Sequence, residues 1–232
     1  MDRNSNKYTF IYASVMVILV AAVLSIAAMS LKPFQKKNTE IEKKQNILAS
    51  VNIATTAKNA EEVYAQKIVN TYVVNSKGEQ VEGNAFEIDL RVQKNKPVDQ
   101  RLLPVFECQT EEGLKYIFPL RGAGLWGPIW GYIALNEDLN TIYGANFDHQ
   151  GETPGLGAEI STPAFQDPFR GKTIFDAAGN LVSIIVAKAN ESAPAEHRVD
   201  AISGGTITSK GLEQMLLDDL KSYQNFITRK KS

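Results

Sequence analysis

The sequence, 232 residues long, predicts an α+β fold: one N-terminal transmembrane helix followed by a domain that combines an antiparallel sheet with helices. Three observations support this class. A long uncharged run lies near the start, short strand patterns separated by turns fill the middle, and an amphipathic helix pattern ends the chain. The strand patterns do not alternate regularly with helices, and no G-x-G-x-x-G follows a strand. A doubly wound α/β fold is therefore disfavoured.

The transmembrane helix is predicted over residues 8–31, which carry no charge and are dominated by Ala, Val, Ile, Leu and Met. About 20 apolar residues in a helix cross the hydrocarbon core of a bilayer, so this run is long enough. The alternative is a cleaved signal peptide. Its apolar part is usually shorter, about 7 to 15 residues, and ends at a small-residue cleavage site that is not evident here. Residues 1–7 form a short tail.

The charges around this segment bear on its orientation. The segment beside a transmembrane helix that carries more lysine and arginine tends to stay in the cytoplasm. Counted alone, the flanking lysines and arginines place the C-terminal side of the segment in the cytoplasm. Arg3 and Lys7 precede the run, and five lysines follow it: Lys32, Lys36, Lys37, Lys43 and Lys44.

Residues 32–55 predict a juxtamembrane helix and linker. Thr39 can cap a helix that continues to Val51, and apolar residues such as Ile47 and Leu48 recur in it at approximately helical spacing. A solvated stalk that holds the domain off the bilayer and a partner-binding helix are both compatible with this pattern.

The domain itself is predicted over residues 56–232. It begins with a mixed polar stretch, to about Pro97, that contains a helical pattern at residues 60–69. Residues 211–229 predict the final helix, because their apolar side chains fall on one face. Residues 102–110 and 114–120 are predicted to form a hairpin about the turn at residues 111–113. Two further strands are predicted at residues 129–135 and 141–147. A second hairpin is predicted from residues 173–175 and 181–187, with its turn at Gly179 and Asn180.

Composition argues against several classes of function. The formal net charge is -1 and the basic residues are scattered among acids, so no nucleic-acid partner is expected. One cysteine, Cys108, and two histidines, His149 and His197, leave little material for a metal site, and none is predicted. Cys108 lies in an apolar run and is expected to be buried. There is no G-x-S-x-G elbow or clear His-centred dyad of a hydrolase, and no catalytic residue is predicted. Any redox chemistry must therefore come from a bound cofactor.

The sharpest motif is D-A-I-S-G-G-T-I-T-S at residues 200–209, immediately before the final helix. Its two glycines let backbone N–H groups approach a phosphate closely, and a helix N-terminus favours an anion. Thr208 and Ser209 can cap the helix, and Lys210 adds a positive charge. A Gly-rich turn that only leads into a helix cap accounts for the same residues, and these residues alone favour that simpler interpretation.

The pattern D-x-x-S-G-x-T resembles the flavinylation motif of the FMN-binding domain family. In that family a threonine carries FMN through a phosphoester, which a separate flavin transferase installs with FAD as donor. The resemblance implies that Thr206 is the acceptor; the nearby Thr208 hydroxyl lies outside the acceptor position. Family members often have Ala where this chain has Gly205, and both residues are small. The neighbours that the resemblance assigns to the site are Asp200, Ser203, Gly204, Gly205, Ile207 and Thr208.

Two upstream segments extend the resemblance, so that the motifs span residues 122–209. Residues 122–131 resemble the family's G-x-G-L-W-G segment, and residues 150–157 its E-T-P-G-L-G segment. An aromatic ring can cover an isoalloxazine face, and a threonine hydroxyl can contact the flavin edge. Taken alone, the tryptophan would be interpreted as a core aromatic and the glutamate as a solvated acid. The implied contacts are Leu125, Trp126, Glu152, Thr153, Leu156 and Gly157, with Lys188 as a candidate cation beside a reduced flavin.

Within this family the chain resembles the C subunit of the Na⁺-translocating NADH:quinone reductase over nearly its full length. The N-terminal helix, K-K-x-x-I-L-A-S at residues 43–50 and Q-G-E-T-P-G-L-G-A-E at residues 150–159 carry this resemblance. The G subunit of the Rnf-type ferredoxin:NAD⁺ oxidoreductase is the alternative inside the family. A cofactor-free, membrane-anchored assembly or binding module is the alternative from a different class, in which the Gly-rich motif is structural.

The resemblance implies an electron relay rather than an independent catalyst, with NADH oxidation left to another subunit. Its implied partners are the other subunits of the reductase, the flavin transferase during maturation, and the membrane. The implied location is the bacterial inner membrane, crossed once, with the domain outside the cytoplasm. That orientation opposes the one that the flanking lysines favour.

Overall fold

A computed structural model describes residues 6–231 of the chain, which divides into two compact units. The first unit ends at Lys43 and the second begins at Lys44. The first helix, α1 (Asn6–Ala49), is 44 residues long and contains the predicted apolar run. This run is long and apolar enough to cross a membrane, and none of its most apolar stretch is buried within the protein.

A separate juxtamembrane helix beginning at Thr39 is not observed, and this prediction was wrong. The α1 helix continues through Pro33, and the Thr39 hydroxyl donates to the Gln35 carbonyl at 3.0 Å within the same helix. A proline inside a helix removes one hydrogen bond and crowds the preceding turn, so the continuity of α1 runs against this local preference. The end of α1 is also no solvated stalk, because Ile47 and Leu48 are fully buried in the second unit.

A six-stranded antiparallel sheet forms the centre of the second unit, with strand order β2-β1-β3-β4-β5-β6. Short helices lie between the strands along the chain. The strands are β1 (Ile68–Val74), β2 (Gln80–Val81), β3 (Leu103–Thr110), β4 (Gly113–Ala123), β5 (Pro128–Leu135) and β6 (Ile142–His149). The short helices are α2 (Ala60–Lys67), α3 (Leu90–Lys94) and α4 (Pro163–Gln166).

The four strands predicted from residue 102 to residue 147 are confirmed, with each end shifted by at most three residues. The sheet also contains β1 and β2, which the sequence did not predict. The helical pattern predicted to residue 69 ends at Lys67, and β1 follows without a loop. Its first five residues are partly or fully exposed and include Asn70 and Thr71, so the apolar alternation of a half-buried strand is weak there.

The second predicted hairpin was only partly right. Phe175 and Leu181 form an isolated antiparallel bridge about the predicted turn. Ser183 then adopts a left-handed conformation, with φ of 62°, which interrupts the extended chain. The following strand, β7 (Ile185–Ala187), pairs in parallel with β8 (Arg198–Asp200) in a separate two-stranded sheet.

The final helix, α5 (Thr206–Lys231), covers one face of the six-stranded sheet and begins five residues earlier than predicted. Thr208 and Ser209 therefore lie inside its first turns and do not cap it, contrary to the prediction. The first intrahelical hydrogen bond runs from the Ser209 amide to the Gly205 carbonyl. Buried residues of α5 facing the sheet are Leu212, Met215, Leu216, Leu220, Tyr223, Phe226 and Ile227.

The opposite face of the sheet packs against the end of α1 and the helix α2. Cys108 lies in this second core, fully buried as predicted. Burial raises the pKa of its thiol to about 11, so the thiolate is strongly disfavoured at neutral pH. The sheet is thus covered on both faces, and a cavity forms beyond the end of β4, beside the start of α5.

Candidate cofactor site

The helix α5 runs antiparallel to β4 and contacts it at every fourth residue. From the core outward, Tyr223 lies against Pro119, Asp219 against Arg121, Met215 against Gly122, and Gly211 against Ala123. Residues four apart lie on one face of a helix, so a single stripe of α5 makes the whole contact. This stripe delivers the N-terminus of α5 to the end of β4.

Two glycines allow this close approach. A Cβ atom added to Gly122 would stand 2.7 Å from the Met215 Cβ atom, and one added to Gly211 would overlap the Ala123 carbonyl oxygen. Larger residues at either position would push the helix away from the strand. The first turn of α5 can therefore lie beside the turn that follows β4.

That turn, between β4 and β5, presents two large apolar side chains to solvent. The Gly124 amide donates to the Gly127 carbonyl at 2.8 Å and closes the turn. Leu125 and Trp126 at its tip are 48% and 68% exposed. The interpretation of Trp126 as a core aromatic is excluded, since its side chain lies at the surface of the site.

The segment after β6 supplies the third wall. Gly155 has φ of +75°, a left-handed conformation that favours glycine, and its amide donates to Glu159 Oε1 at 3.0 Å. The amides of Leu156 and Ala158 both donate to the Thr153 carbonyl, at 3.1 and 3.2 Å. This compact turn leaves the Leu156 side chain 41% exposed toward the cavity.

Glu152 lies at the centre of these segments and is only 5% exposed, which excludes its interpretation as a solvated loop acid. Its Oε1 atom accepts a hydrogen bond from the Trp126 amide at 2.8 Å, and its Oε2 atom accepts one from the Thr208 hydroxyl. Its own amide donates to His149 Nδ1 at 3.2 Å. The carboxylate thus joins the β4–β5 turn to the first turn of α5, and the backbone amide of the same residue contacts the end of β6.

Thr206 is the first residue of α5 and lies two residues after Gly204, which has φ of +74°. The first amides of a helix have no intrahelical acceptor, so those of the first turn of α5 point toward the space beyond the helix. The partial positive charge of the helix N-terminus adds to them. These donors lie at the edge of the cavity, where an anionic group would be stabilised.

A cavity of about 400 Å³ opens between the three segments. Its volume is in the range of small-molecule sites, and four of the side chains around it are large, apolar and exposed. A molecule with a planar apolar part and an anionic end fits this combination of apolar walls and helix N-terminus. The lining residues are Leu125, Trp126, Glu152, Thr153, Leu156, Gly157, Gly204, Gly205, Thr206, Ile207 and Thr208.

All eleven of these residues belong to the set predicted from the sequence, and three other predicted residues do not line the cavity. Lys188 is exposed just beyond β7, Ser203 is exposed in the loop before α5, and Asp200 forms an ion pair with Arg198 at 3.0 Å. Lys210 forms ion pairs with Glu213 and Glu191, at 3.1 and 3.3 Å. The three motifs are therefore brought together, while the predicted cation is placed apart.

The sequence missed the bridging role of Glu152. A carboxylate inside a Gly-rich segment was interpreted as solvated or as a direct cofactor contact, because its two partners lie 26 and 56 residues away. The only local signal was an acid between small and apolar residues, where an unpaired charge would be costly to bury.

Comparison with known proteins agrees with this site. The FMN-binding domain family matches residues 124–221, which include all three cavity segments. The C subunit of the Na(+)-translocating NADH-quinone reductase from Pseudomonas aeruginosa is 31% identical over 93% of this chain and 91% of its own length. The protein of the same name from Vibrio vulnificus is 32% identical over 84% of this chain and 83% of its own.

Solved structures are similar over most of this chain. The C subunit of the Na(+)-translocating NADH-quinone reductase from Parabacteroides distasonis is 47% identical, with a TM-score of 0.80, over 85% of this chain and 97% of that one. The NqrC structure from Shewanella oneidensis is 24% identical, with a TM-score of 0.71, over 84% of this chain and 99% of that one, and supports the fold alone.

Proposed function

The chain belongs to the family of C subunits of the Na(+)-translocating NADH-quinone reductase, and from this we propose that it relays electrons through an FMN attached by a phosphoester to Thr206. Its FMN-binding domain and its membership of this family of oxidoreductase subunits support the flavin and the redox role. The proposal adds the linkage, the acceptor residue and the electron relay.

One observation carries the proposal: three motifs distant in sequence line one cavity, and Thr206 stands there at the N-terminus of a helix. The other hydroxyl of this turn, that of Thr208, is 1% exposed and donates to Glu152. Thr206 is half-buried and lines the cavity. It is therefore the hydroxyl better placed to meet a flavin donor.

Attachment is a phosphoryl-transfer step. The Thr206 oxygen attacks the phosphorus on the FMN side of FAD, the bond between the two phosphates of FAD breaks, AMP leaves, and the hydroxyl proton passes to solvent or to the transferase. The backbone amides of the first α5 turn can stabilise the charge of the resulting phosphodiester. No reducing equivalent is used in this step.

The chain contributes binding and water exclusion, while FMN, when bound, supplies the one- and two-electron chemistry. The exposed side chains of Leu125, Trp126, Leu156 and Ile207 can cover an apolar ring system. Thr153 lines the same cavity and offers a hydroxyl for polar contact. Lys188 stands as a prediction for a cation near the flavin, and its position outside the cavity lining gives that role no support.

We also propose that residues 8–31 anchor the chain in the bacterial inner membrane, with the domain on the extracytoplasmic side, among the other subunits of the reductase. The lysines after the anchor favour the opposite orientation, and assembly with partner subunits would have to overcome that bias. A C-terminal alkaline phosphatase fusion should be active and a green fluorescent protein fusion dark. The reverse pair of results would overturn the orientation.

The two alternatives are not favoured. The relatives, which match over most of their length, bear the name of the C subunit of this reductase rather than that of the Rnf-type G subunit. A cofactor-free module gives no reason for a cavity that brings together the three segments of an FMN-binding domain.

Co-expression of the full chain with a flavin transferase tests the proposal, read by intact mass and by in-gel ultraviolet fluorescence after denaturation. A mass gain of FMN minus water is expected for the natural sequence and should be lost in Thr206→Ala. Ser222→Ala, on the distant part of the same helix, is the matched control and should be labelled normally. An unmodified natural chain, beside a labelled control flavoprotein, would overturn the covalent linkage.

A further inference from the structure

The buried carboxylate of Glu152 is the point at which the three cavity segments meet. We propose that Glu152 is a positioning residue: its two hydrogen bonds fix the Trp126 turn to the first turn of α5, and so present the Thr206 hydroxyl for flavin attachment. This inference rests on the function proposed for Thr206. It assigns Glu152 a role through Trp126 and Thr208 rather than through contact with the reacting atoms.

Two motif glycines provide the space for this carboxylate. A Cβ atom added to Gly124 would stand 2.5 Å from Glu152 Oε1, and one added to Gly157 would overlap Glu152 Oε2. The glycine of the β4–β5 turn and the last glycine of the segment after β6 thus leave room for one and the same side chain. The position of the Glu152 carboxylate thus explains why both residues are glycine.

The Thr208 hydroxyl, which donates to Glu152, restrains the turn that contains Thr206. Two residues along an α-helix are about 200° apart around its axis, so fixing Thr208 inward turns Thr206 toward another side. The same bond engages the nearest competing hydroxyl on α5. The hydrogen bond from Thr208 to Glu152 therefore both orients Thr206 and engages the hydroxyl that would compete with it as flavin acceptor.

The electrostatics point to a role beyond stability. Within residues 6–231, Glu152 forms no ion pair with a lysine, arginine or histidine, and its carboxylate is held by one amide and one hydroxyl. Burial of a carboxylate without a cation lowers stability unless its hydrogen bonds offset the lost hydration. A position that served packing alone would favour an apolar side chain of the same size.

The test measures the initial rate of FMN transfer from FAD to the full-length chain in detergent, with purified flavin transferase and intact mass as the readout. Glu152→Met keeps the volume and removes both acceptors, and the rate should fall by at least about tenfold, because small misplacements of a reacting group are costly. Glu152→Gln should stay within about threefold of the natural rate. Its amide oxygen can accept from Trp126, and its amide nitrogen can donate to Thr208.

Thr208→Val removes the hydroxyl with little change in volume and should slow transfer about as much as Glu152→Met. The double variant should be no slower than the slower single variant, because both changes remove the same hydrogen bond. Glu159→Gln is the matched control, since Glu159 accepts an amide hydrogen bond within the same segment and does not bridge to α5. Its rate should be unchanged.

A second readout needs no flavin. The chain has two tryptophans, so in a Trp130→Phe background the tryptophan contribution to the near-ultraviolet circular dichroism comes from Trp126 alone. Well below the melting temperature, Glu152→Met should weaken this signal, whereas Glu152→Gln and Thr208→Val should leave it in place. A residue that only stabilises the fold would not separate these three variants.

Three results would overturn the inference: an unchanged transfer rate in Glu152→Met, a loss in Glu152→Gln as large as in Glu152→Met, or rates that simply follow melting temperature. The second result would mean that the negative charge acts rather than the hydrogen bonds. If Glu152→Met does not fold, Thr208→Val carries the rate test. If no chain is labelled at all, the function proposed for Thr206 fails, and the Trp126 signal still decides whether Glu152 positions this turn.

Discussion

The two ends of the contact between β4 and α5 each contain a buried carboxylate, and they differ in what surrounds it. At the core end, Asp219 accepts from the Arg121 amide at 2.7 Å and forms an ion pair with Lys94 at 2.7 Å. At the cavity end, Glu152 accepts from the Trp126 amide and the Thr208 hydroxyl without a cation. Both carboxylates join a strand end to the helix, but only one is neutralised.

The packing around the two ends also differs: the core end is closely packed, and the cavity end is open. Around Asp219 the Phe118 ring contacts those of Tyr223 and Phe226, with centroids 5.0 and 6.2 Å apart, and all three are buried. Around Glu152 the large apolar side chains are exposed and line a cavity. The core end therefore contributes stability, and the cavity end gives up part of it to keep a site open.

The largest effect on stability is expected from Phe118→Ala. Removing a fully buried aromatic ring leaves a cavity, and we expect the unfolding free energy to fall by about 3 to 5 kcal/mol. Urea titration in detergent, followed by far-ultraviolet circular dichroism, measures it. Leu125→Ala, at the exposed cavity end, is the control and should cost less than about 0.5 kcal/mol. Equal losses would erase the distinction between the two ends.

A pH-dependent effect is expected from Asp219→Asn. Burial raises the pKa of Asp219 from its usual value near 3.8 to about 6, although Lys94 and the Arg121 amide act against this. At pH values between these two pKa values, the native state binds more protons than the unfolded chain. The contribution of Asp219 to the free energy of unfolding therefore falls as pH rises. A pKa difference of about two corresponds to about 3 kcal/mol.

Unfolding free energies of the natural chain and Asp219→Asn, measured from pH 4 to pH 7, test this sign. Relative to the variant, the natural chain should lose stability as pH rises, by up to about 3 kcal/mol. A relative gain with rising pH would mean that Lys94 dominates and that the pKa of Asp219 is lowered.

Tyr223→Phe should have a smaller effect. The Tyr223 hydroxyl is buried 3.1 Å from the carbonyl oxygens of both Pro104 and Pro119 and ties β3 and β4 to the helix. Losing this hydroxyl leaves buried carbonyls with one partner fewer, at a cost of about 1 to 2 kcal/mol. The same urea titration measures it, and flavin labelling should be unchanged. A labelling defect would show that the core end also shapes the site.

The smallest effect on stability, and a clear one on the flavin, is expected from Trp126→Ala. The side chain is 68% exposed, so the unfolding free energy should change by less than about 0.5 kcal/mol. Loss of an aromatic ring beside the flavin should increase the fluorescence of the labelled chain, whereas Trp126→Phe should keep it low. An unchanged flavin fluorescence in Trp126→Ala would place the ring away from the cofactor.

Much of the fold could be predicted because its signals are local. The strands β3 to β6 alternate or run apolar between turn residues, and α5 shows a clear apolar face. The strand β1 was missed because Asn70 and Thr71 interrupt its apolar pattern. The second predicted hairpin was only partly right, because the left-handed conformation of Ser183 interrupts it and the apolar pattern of the sequence does not reveal that conformation. The continuity of α1 was missed because the predicted membrane helix ended with the uncharged run at residue 31, and Thr39 was predicted to cap a separate helix.

The sequence by itself determined the apolar N-terminal helix and the class of the domain, because periodicity and residue type are local properties, and its resemblance to the FMN-binding domain family indicated the three segments that line the cavity. Only the tertiary structure decided that α5 begins at Thr206, that Thr208 points inward, and that Glu152 joins segments 26 and 56 residues away. Antiparallel pairing and the four-residue stripe of α5 bring these groups together. Contacts of that range depend on the whole sheet, and no short segment of sequence specifies them.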